Sequence, residues 1–298
     1  MAERLRLGVL GASWIADRAL IPAMQAAEHA DATAIASREP ERARLMARRH
    51  GVPRVHESYE ALLSDPEIDA VYVGLVNSEH ARWCTRALEA GKHVLCDKPL
   101  ATSGEEARAM RASAESFGLM LMEGFQYRFH PRMHQLRETV REVSFAHAAF
   151  SFRLTDSTTY RLHPELGGGA LLDVGCYTLD VLRWFLGEPD SVRSVMHVVG
   201  VDMTVAAALR FGGEVRATIA ASFEQPDHQE LVLLAGGERH RVVQPFTAWR
   251  DPHDPYAIMV DAFARSVLDG SPSPRSLDDS VATADLVDQV RAAARMLR

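Results

Sequence analysis

The first 123 residues alternate between short apolar runs and amphipathic stretches. The apolar runs have the length and composition of buried strands and lie at 5–10, 32–36, 70–75, 93–96 and 119–123. Helical patterns fall between them, among others at 40–50, 58–63 and 103–117. Strands that alternate with helices predict a parallel sheet covered on both faces, and about 123 residues suit one doubly wound α/β domain.

The pattern changes in the second part of the chain. Period-two alternation, typical of half-buried strands, occurs at 145–152, 192–199, 202–211, 214–223, 230–235 and 239–243. Gly212-Gly213 and Gly236-Gly237 separate consecutive runs and predict hairpin turns. Helical patterns at 255–269 and 277–297 follow. We therefore predict a second, α+β domain over 124–298, with a large open and mainly antiparallel sheet.

A buried helix is predicted between Gly167 and Gly187. Wound at about 100° per residue, it is apolar on nearly every side, as buried helices are. Asp173, Tyr177, Asp180 and Trp184 share one narrow stripe. Arg183 is the exception and lies near the C-terminal end, where a cation suits the helix dipole. Buried polar groups need partners or a function. The stripe therefore either faces a ligand cleft, or Asp173 caps the first turn and Tyr177 hydrogen-bonds within the core.

Composition and charge narrow the possible functions. The 298 residues carry a net charge of −7, so the sequence predicts no general electrostatic attraction to nucleic acid or to anionic membranes. No apolar run approaches the about 20 residues of a membrane span, and charged residues lead directly into a strand, so we expect no signal peptide. The three cysteines are far apart and favour a reducing cytoplasm. His130 and His134 have metal-ligand spacing but no third ligand, so we expect no metal.

Lysine is rare in this chain. Of 33 basic residues, only Lys92 and Lys98 are lysines. Arginine keeps its proton in proteins, whereas lysine can release it. Lys92 lies in a turn and is most simply a solvated residue. Lys98 follows a predicted parallel strand at its carboxyl end, where open α/β sheets bind ligands.

The turn after the first strand is similar to a dinucleotide-binding fingerprint. Gly11 and Ala16 occupy its first and third positions, and Ser13 replaces the middle glycine. A strand, a glycine turn and a helix are the context that this Rossmann motif requires. An ordinary strand–helix turn is the alternative interpretation.

The end of the second strand predicts which dinucleotide binds. A site for NAD usually places Asp or Glu there, to bond the ribose hydroxyls. Ser37 and Arg38 occupy the position instead, and Arg42 follows one turn into the next helix. A hydroxyl and a guanidinium suit a 2′-phosphate, so the sequence favours NADP(H). Ser37 is equally suited to cap that helix.

Taken together, these motifs resemble the Gfo/Idh/MocA oxidoreductases over essentially the whole chain. The motifs that carry the resemblance lie at 11–16, 77–80, 96–99, 123–131 and 167–180. Two positions depart from the most common pattern. Asp97 stands for the Glu of the family's Glu-Lys-Pro, and Tyr177 stands where inositol-dehydrogenase-like members have His. The tyrosine resembles the branch of glucose-fructose oxidoreductase, dimeric dihydrodiol dehydrogenase and deoxysugar 3-ketoreductases, which use a Lys-Tyr pair and mostly NADP(H).

The resemblance implies that the enzyme moves a hydride between NADP(H) and a carbonyl or hydroxyl of a sugar or sugar derivative. Tyr177 would be the general acid or base, tuned by Lys98, with Asp173 orienting the reactants. The substrate contacts implied are Arg161, His163, Asp173 and Tyr177. The cofactor contacts implied are Gly11, Ser13, Trp14, Ile15, Ser37, Arg38, Arg42, Leu75, Asn77, His80, Asp97 and Lys98.

The resemblance also implies a homodimer or homotetramer formed through the open sheet face, with no nucleic-acid or membrane partner. Two alternatives remain open. One is an enzyme on a non-sugar substrate, such as a trans-dihydrodiol or an imine. The other is a non-catalytic regulator that binds NADP(H), against which the joint presence of Lys98, Asp173 and Tyr177 argues.

Overall fold

A computed structural model describes residues 4–247 and 252–297, which form two compact units. Of the described residues, the first unit contains 4–101, 106–130 and 252–280, and the second contains 102–105, 131–247 and 281–297.

The first unit is built on a six-stranded sheet with strand order β3-β2-β1-β4-β5-β6. Its strands are β1 (Leu5–Leu10), β2 (Ala30–Ala36), β3 (Arg54–His56), β4 (Ala70–Val73), β5 (His93–Asp97) and β6 (Leu121–Gly124). Every neighbouring pair is parallel. This is the doubly wound order of Rossmann domains, as the alternating pattern predicts. The edge strand β3 lies outside the prediction because its three half-buried residues form no apolar run.

The α-helices of the described chain agree closely with the helical patterns. They are α1 (Ile21–Ala26), α2 (Pro40–His50), α3 (Tyr59–Leu63), α4 (His80–Glu89), α5 (Gly104–Phe117), α6 (Pro131–Thr139), α7 (Cys176–Leu186), α8 (Pro255–Asp269) and α9 (Leu277–Ala292). Wider π-helical turns, Ala16–Leu20 and Leu171–Gly175, precede α1 and α7. No helix within the described ranges is long and apolar enough to cross a membrane.

The predicted domains, 1–123 and 124–298, differ from these units at three places. The first unit continues to residue 130, it also takes in 252–280, and residues 102–105 belong to the second unit. Helix α8 accounts for the second difference, because its buried Val260 and Phe263 join the apolar cluster that contains Leu20 and Met24 of the first unit. Periodicity along the chain shows that α8 has an apolar face but not which sheet that face covers.

The second unit contains a seven-stranded sheet with strand order β12-β11-β7-β10-β9-β8-β13. Its strands are β7 (Val143–Ser151), β8 (Pro189–Val199), β9 (Val201–Phe211), β10 (Val215–Ser222), β11 (His228–Ala235), β12 (Glu238–Val243) and β13 (Ala294–Met296). Both predicted glycine hairpins form, joining β9 to β10 and β11 to β12. The sheet is mixed, however, because β7 pairs with β10 in parallel and β13 pairs with β8 in parallel.

The parallel pairs have a physical origin. The connection from β7 to β8 contains helix α7, and such a helical crossover makes β8 run in the same direction as β7. The antiparallel pairs β8–β9 and β9–β10 then leave β10 parallel to β7. At the other edge, the helix predicted to reach residue 297 ends at Ala292, and β13 then pairs with β8. Leu297 continues this pairing, because its backbone N–H donates to the carbonyl oxygen of Met196 (2.7 Å).

Candidate functional site

The turn after β1 has the geometry of a close backbone approach. Gly11 has φ +106°, and a Cβ there would lie 2.6 Å from the carbonyl oxygen of Gly74, so only glycine fits. Ser13 accepts a hydrogen bond from the N–H of Ala16 (3.2 Å). Trp14 is 72% exposed. The turn therefore presents backbone and a broad aromatic side chain at the carboxyl end of the sheet.

The segment after β2 is tied to this turn. The Arg42 guanidinium donates from Nη2 to the carbonyl oxygen of Ala12 (2.8 Å). The N–H of Arg38 donates to the hydroxyl of Tyr59 (3.2 Å), and Ser37 accepts from the N–H of Glu39 (3.2 Å). The hydroxyl of Ser37 thus stabilises the turn before α2, but it does not cap that helix, whose N-cap residue is Glu39. The structure brings together Gly11–Ala16 and Ser37–Arg42 as one corner of the first unit.

The loop after β4 contributes three of the predicted cofactor contacts. Leu75 is half-buried, and Asn77 is buried in a single 3-10 turn. His80 is fully buried, with Nδ1 2.8 Å from the carbonyl oxygen of Pro99 and Nε2 3.1 Å from that of Leu75. Both ring nitrogens therefore face the backbone of the first unit. We interpret His80 as an internal link between two loops rather than as a direct cofactor contact.

Asp97 and Lys98 lie where β5 ends, and both are half-buried. The following residues, Pro99 and Leu100, are buried. Glu123, on the neighbouring strand β6, accepts a hydrogen bond at Oε1 from the N–H of Leu100 (2.8 Å). The turn that carries Lys98 is thus attached to buried side chains.

Behind Glu123 lies a buried ionic cluster that the sequence did not predict. The Arg275 guanidinium donates to Glu123 Oε2 from Nη2 (2.8 Å) and Nε (3.1 Å), and from Nη1 to Asp279 Oδ2 (3.1 Å). Arg128 pairs with the same carboxylate of Asp279. Glu123 and Arg275 are each only 2% exposed. Glu123 could have been recognised from the sequence, because it is the single charged residue in an apolar strand. No sequence pattern identified Arg275.

In the second unit, Asp173 lies on the π-helical turn before α7 and is buried. Arg161 donates from Nε to Asp173 Oδ2 (2.7 Å). At the start of this helix, the carboxylate that accepts the N–H of Leu171 (2.6 Å) belongs to Asp202 from β9. Burial raises the pKa of the Asp202 carboxyl above its ordinary value, while the backbone N–H groups oppose that shift.

Two glycines of the triplet before the helix lie where a side chain would clash with neighbouring atoms. Gly169 has φ +110°, and a Cβ on it would lie 2.2 Å from Asp202 Oδ1. A Cβ on Gly168 would lie 2.5 Å from the carbonyl oxygen of Arg161. Because these glycines have no side chain, the loop that carries Arg161 can lie against the helix that carries Asp173.

Tyr177 lies one helical turn after Asp173 and is buried against aromatic rings. The ring centroids of Phe150 and Phe246 are 5.6 Å and 5.4 Å from that of Tyr177, and the two phenylalanine rings stack on each other. Neither phenylalanine was predicted as a site residue. Phe150 lies on β7 and Phe246 lies after the end of β12, so only the folded chain brings these distant positions together.

The other residues of the polar stripe serve the packing of the second unit. Asp180 is fully buried and accepts a hydrogen bond from Thr283 (3.1 Å). Trp184 packs edge-on against His134, with their centroids 5.5 Å apart.

His163 lies at the surface, with Nδ1 3.1 Å from Glu165 Oε1, and is not brought to Asp173.

Lys92 corrects an expectation. It is 8% exposed rather than solvated, and its ammonium donates to the carbonyl oxygens of Asp65 (2.8 Å) and Ile68 (2.7 Å). Burial lowers the pKa of Lys92. Its role is to satisfy backbone acceptors at the end of the sheet opposite Lys98.

The first unit is a doubly wound sheet with a glycine turn, and the second unit contains a helix that carries the buried residues Asp173 and Tyr177. This architecture is that of a dinucleotide-dependent oxidoreductase. Family models agree: residues 5–125 match the oxidoreductase family with an NAD-binding Rossmann fold, and residues 137–243 match the GFO/IDH/MocA C-terminal domain. The chain belongs to the Gfo/Idh/MocA oxidoreductase family.

Individual relatives are similar over the full chain. D-xylose 1-dehydrogenase (NADP(+)) 2 of Haloferax volcanii is 37% identical, with 96% of each chain covered. The dTDP-3,4-didehydro-2,6-dideoxy-α-D-glucose 3-reductase of Actinomadura kijaniata is 36% identical over 99% of this chain and 97% of the relative. A crystal structure of a 3-ketoreductase from A. kijaniata with NADP and TDP-benzene has a TM-score of 0.88, 32% identity and 99% coverage of both chains.

Proposed function

We propose that the protein is an NADP(H)-dependent oxidoreductase of sugars or sugar derivatives. The corner formed by Gly11–Ala16 and Ser37–Arg42 carries this proposal. It combines a close-approach glycine turn with a hydroxyl and two guanidinium groups, a donor set that fits a dinucleotide with a 2′-phosphate. The D-xylose dehydrogenase uses NADP(+), and the 3-ketoreductase was crystallised with NADP, which supports the same cofactor here.

When bound, NADPH supplies a hydride to the substrate carbonyl. The resulting alkoxide needs a proton, and the Tyr177 hydroxyl donates it in the proposed mechanism. A phenol has an ordinary pKa of about 10, so it needs a nearby cation to donate and accept protons at neutral pH. Lys98 is that cation. At about 4 Å and an effective dielectric of about 20, an ammonium stabilises the phenolate by up to about 4 kcal/mol, or about 3 pKa units.

Arg161 and Asp173 would hold the substrate. A carboxylate and a guanidinium side by side offer both acceptors and donors, which match the paired hydroxyls of a polyol. His163, which pairs with Glu165 at the surface, would contact the substrate only at its periphery. In this scheme Asp173 orients the reacting hydroxyl and Tyr177 moves its proton.

A substrate panel tests the proposal. Ketosugars, aldoses, nucleotide sugars and trans-dihydrodiols are incubated with NADPH or NADP⁺, and nicotinamide absorbance is followed. We expect turnover of at least one sugar class, with wild-type protein at least tenfold faster than Tyr177→Phe. Tight NADPH binding without turnover of any compound would instead support a non-catalytic regulator.

The aromatic environment of Tyr177 favours a second candidate, an aromatic trans-dihydrodiol. Phe150 and Phe246 flank the tyrosine with flat, apolar surfaces. Trans-1,2-dihydrobenzene-1,2-diol dehydrogenase of Xenopus laevis is 37% identical over 63% of this chain and 60% of the relative. Faster oxidation of dihydrodiols than of every sugar in the panel would favour this reaction.

We also propose that the protein forms a homodimer or homotetramer through the open sheet face and acts in the cytoplasm. Alternation along β9 and β10 leaves small side chains, including Ala206, Ala208 and Ala220, on the face opposite their buried neighbours. Small residues let a second sheet pack closely. The three cysteines are buried free thiols, which suits a reducing compartment.

A further inference from the structure

The peptide group between Pro99 and Leu100 is held at both ends by buried side chains. Its carbonyl oxygen lies 2.8 Å from His80 Nδ1, and its N–H donates to Glu123 Oε1 at 2.8 Å. These two atoms belong to one planar unit, so the two contacts together fix its position and its rotation. Lys98 is the residue immediately before this unit.

Both anchors are themselves fixed. His80 begins α4, is fully buried, and has its second nitrogen 3.1 Å from the carbonyl oxygen of Leu75. Glu123 receives two hydrogen bonds at its other oxygen from Arg275, whose guanidinium lies 4.7 Å from the Phe125 ring centroid. A buried carboxylate and guanidinium are expensive to desolvate. Ordinary packing does not require such a pair beneath a turn.

We propose that His80 and Glu123 are positioning residues that set the place of the Lys98 ammonium, with Arg275 orienting Glu123. The inference rests on the proposed role of Lys98 in tuning Tyr177. Neither anchor touches the reacting atoms in this scheme. They act by holding the backbone from which Lys98 extends, because a displacement of about 1 Å in a catalytic group can cost about 10²-fold in rate.

Two substitutions of His80 separate positioning from packing. The side-chain amide nitrogen of His80→Asn occupies the place of Nδ1 and keeps a donor for Pro99. That of His80→Gln occupies the place of Nε2 and leaves the Pro99 carbonyl without its donor. We expect single-turnover hydride transfer to fall about 10²-fold in His80→Gln. His80→Asn should recover at least tenfold of that loss.

Packing alone predicts the reverse order, because Asn is the smaller residue and leaves the larger cavity. Leu88→Ala, a fully buried position on the same helix, shows how the rate depends on stability when the Pro99–Leu100 peptide is untouched. If His80→Gln is as fast as His80→Asn, or if all three rates follow thermal stability, the positioning role is wrong.

Glu123 is tested together with Arg275, since either single change leaves a buried charge unpaired. The double variant Glu123→Leu, Arg275→Met removes both charges and retains apolar volume. We expect it to fold and to transfer hydride about as slowly as His80→Gln. A folded double variant with wild-type rates would contradict the proposal.

The pH profile distinguishes failure of this inference from failure of the proposed function. Lys98→Ala and His80→Gln should both move the Tyr177 limb of the rate profile upward by at least about one pH unit, toward about 10. If Lys98→Ala moves neither rate nor profile, the proposed function fails. If Lys98→Ala moves both and His80→Gln moves neither, only the positioning role fails.

Discussion

Arg161 and Asp173 form an ion pair in which only one member is accessible. Arg161 Nε lies 2.7 Å from Asp173 Oδ2, and the side chains are 34% and 5% exposed. The Arg161 guanidinium also lies 5.0 Å from the Tyr160 ring centroid. Arg161 is therefore the member that a polar substrate can reach first, and Asp173 is the buried member that holds the Arg161 side chain in place.

This relationship leads to a prediction about substrate binding. Arg161→Met removes a charge-assisted hydrogen bond worth about 1.5–3 kcal/mol, so the KM for the sugar should rise about 10- to 100-fold. Arg161→Lys keeps the positive charge but lacks the planar pair of N–H donors of a guanidinium, so it should reverse only part of the rise in KM. Steady-state kinetics give KM, and NADPH fluorescence gives the cofactor Kd, which should stay unchanged. An unchanged KM would remove Arg161 from the substrate site.

The second prediction concerns cofactor choice. Ser37 and Arg38 directly follow β2, and the N–H of Arg38 donates to the hydroxyl of Tyr59. Arg38→Ala should raise the Kd for NADPH by at least about tenfold, or about 1.4 kcal/mol, and leave that for NADH nearly unchanged. Tyr59→Phe should have a smaller effect, about fivefold, through one lost neutral hydrogen bond.

Arg44→Ala is the matched control, because Arg44 lies on α2, the helix that follows Arg38, and pairs at the surface with Glu41 and Glu57. It removes the same charge away from the turn. Equal losses of NADPH and NADH affinity in Arg38→Ala would contradict recognition of a 2′-phosphate.

The third prediction is a pH dependence of stability at Asp202. Burial raises the pKa of Asp202 above 3.8 in the folded protein. A raised carboxyl pKa means that the folded state binds the proton more tightly than the unfolded state does. The stability contributed by Asp202 is therefore full below the unfolded pKa and is lost as pH rises through the folded pKa. Asp202→Asn cannot titrate, so its free energy of unfolding should improve relative to wild type over that interval.

Denaturant unfolding of both proteins from about pH 3 to about pH 7 measures this difference. Asp156→Asn is a control, because the Asp156 carboxyl lies in an exposed turn and its pKa is lowered by Thr158, which predicts a trend of opposite sign. A constant difference between wild type and Asp202→Asn would mean that its carboxyl titrates normally.

The sequence predicted the features that local pattern determines. Strand and helix order, both glycine hairpins and the glycine turn at Gly11 follow from periodicity and backbone geometry. It did not predict contacts between distant segments. Glu123 and Arg275 are 152 positions apart, and no periodicity relates them. Lys92 illustrates the same limit, because the turn composition at 91–92 gives no sign that two carbonyl groups surround its ammonium.

The mixed sheet has a related explanation. Alternation specifies which face of a strand is buried, but it is the same for parallel and antiparallel partners. The pairing of β7 with β10 depends on the α7 crossover. The short strands β3 and β13 gain their backbone partners from a sheet edge and need no apolar run of their own.

The fourth prediction concerns assembly. If the outer face of β9 and β10 is an interface between copies, a large charge at its centre should separate them. Ala208→Arg should convert the assembly to monomers in multi-angle light scattering. Glu214→Arg, in the exposed turn between the same strands, is the control for added charge. A wild-type monomer at micromolar concentration would contradict the proposed interface.

The last prediction concerns the proposed catalytic pair. Lys98 lies in the first unit and Tyr177 in the second, at the carboxyl end of β5 and one turn beyond Asp173. Loss of a general acid typically costs about 10²- to 10⁴-fold, so Tyr177→Phe should reduce single-turnover hydride transfer by that factor with NADPH binding intact. Lys98→Arg should fail nearly as badly as Lys98→Ala, because a guanidinium differs in shape and cannot stand in for a compact ammonium. Since the two residues act as one unit, the losses in the double variant should be far smaller than the product of the single losses. Additive effects, or wild-type rates in Tyr177→Phe, would mean that the proton comes from another group, with His163 or a water held by Asp173 as the next to test.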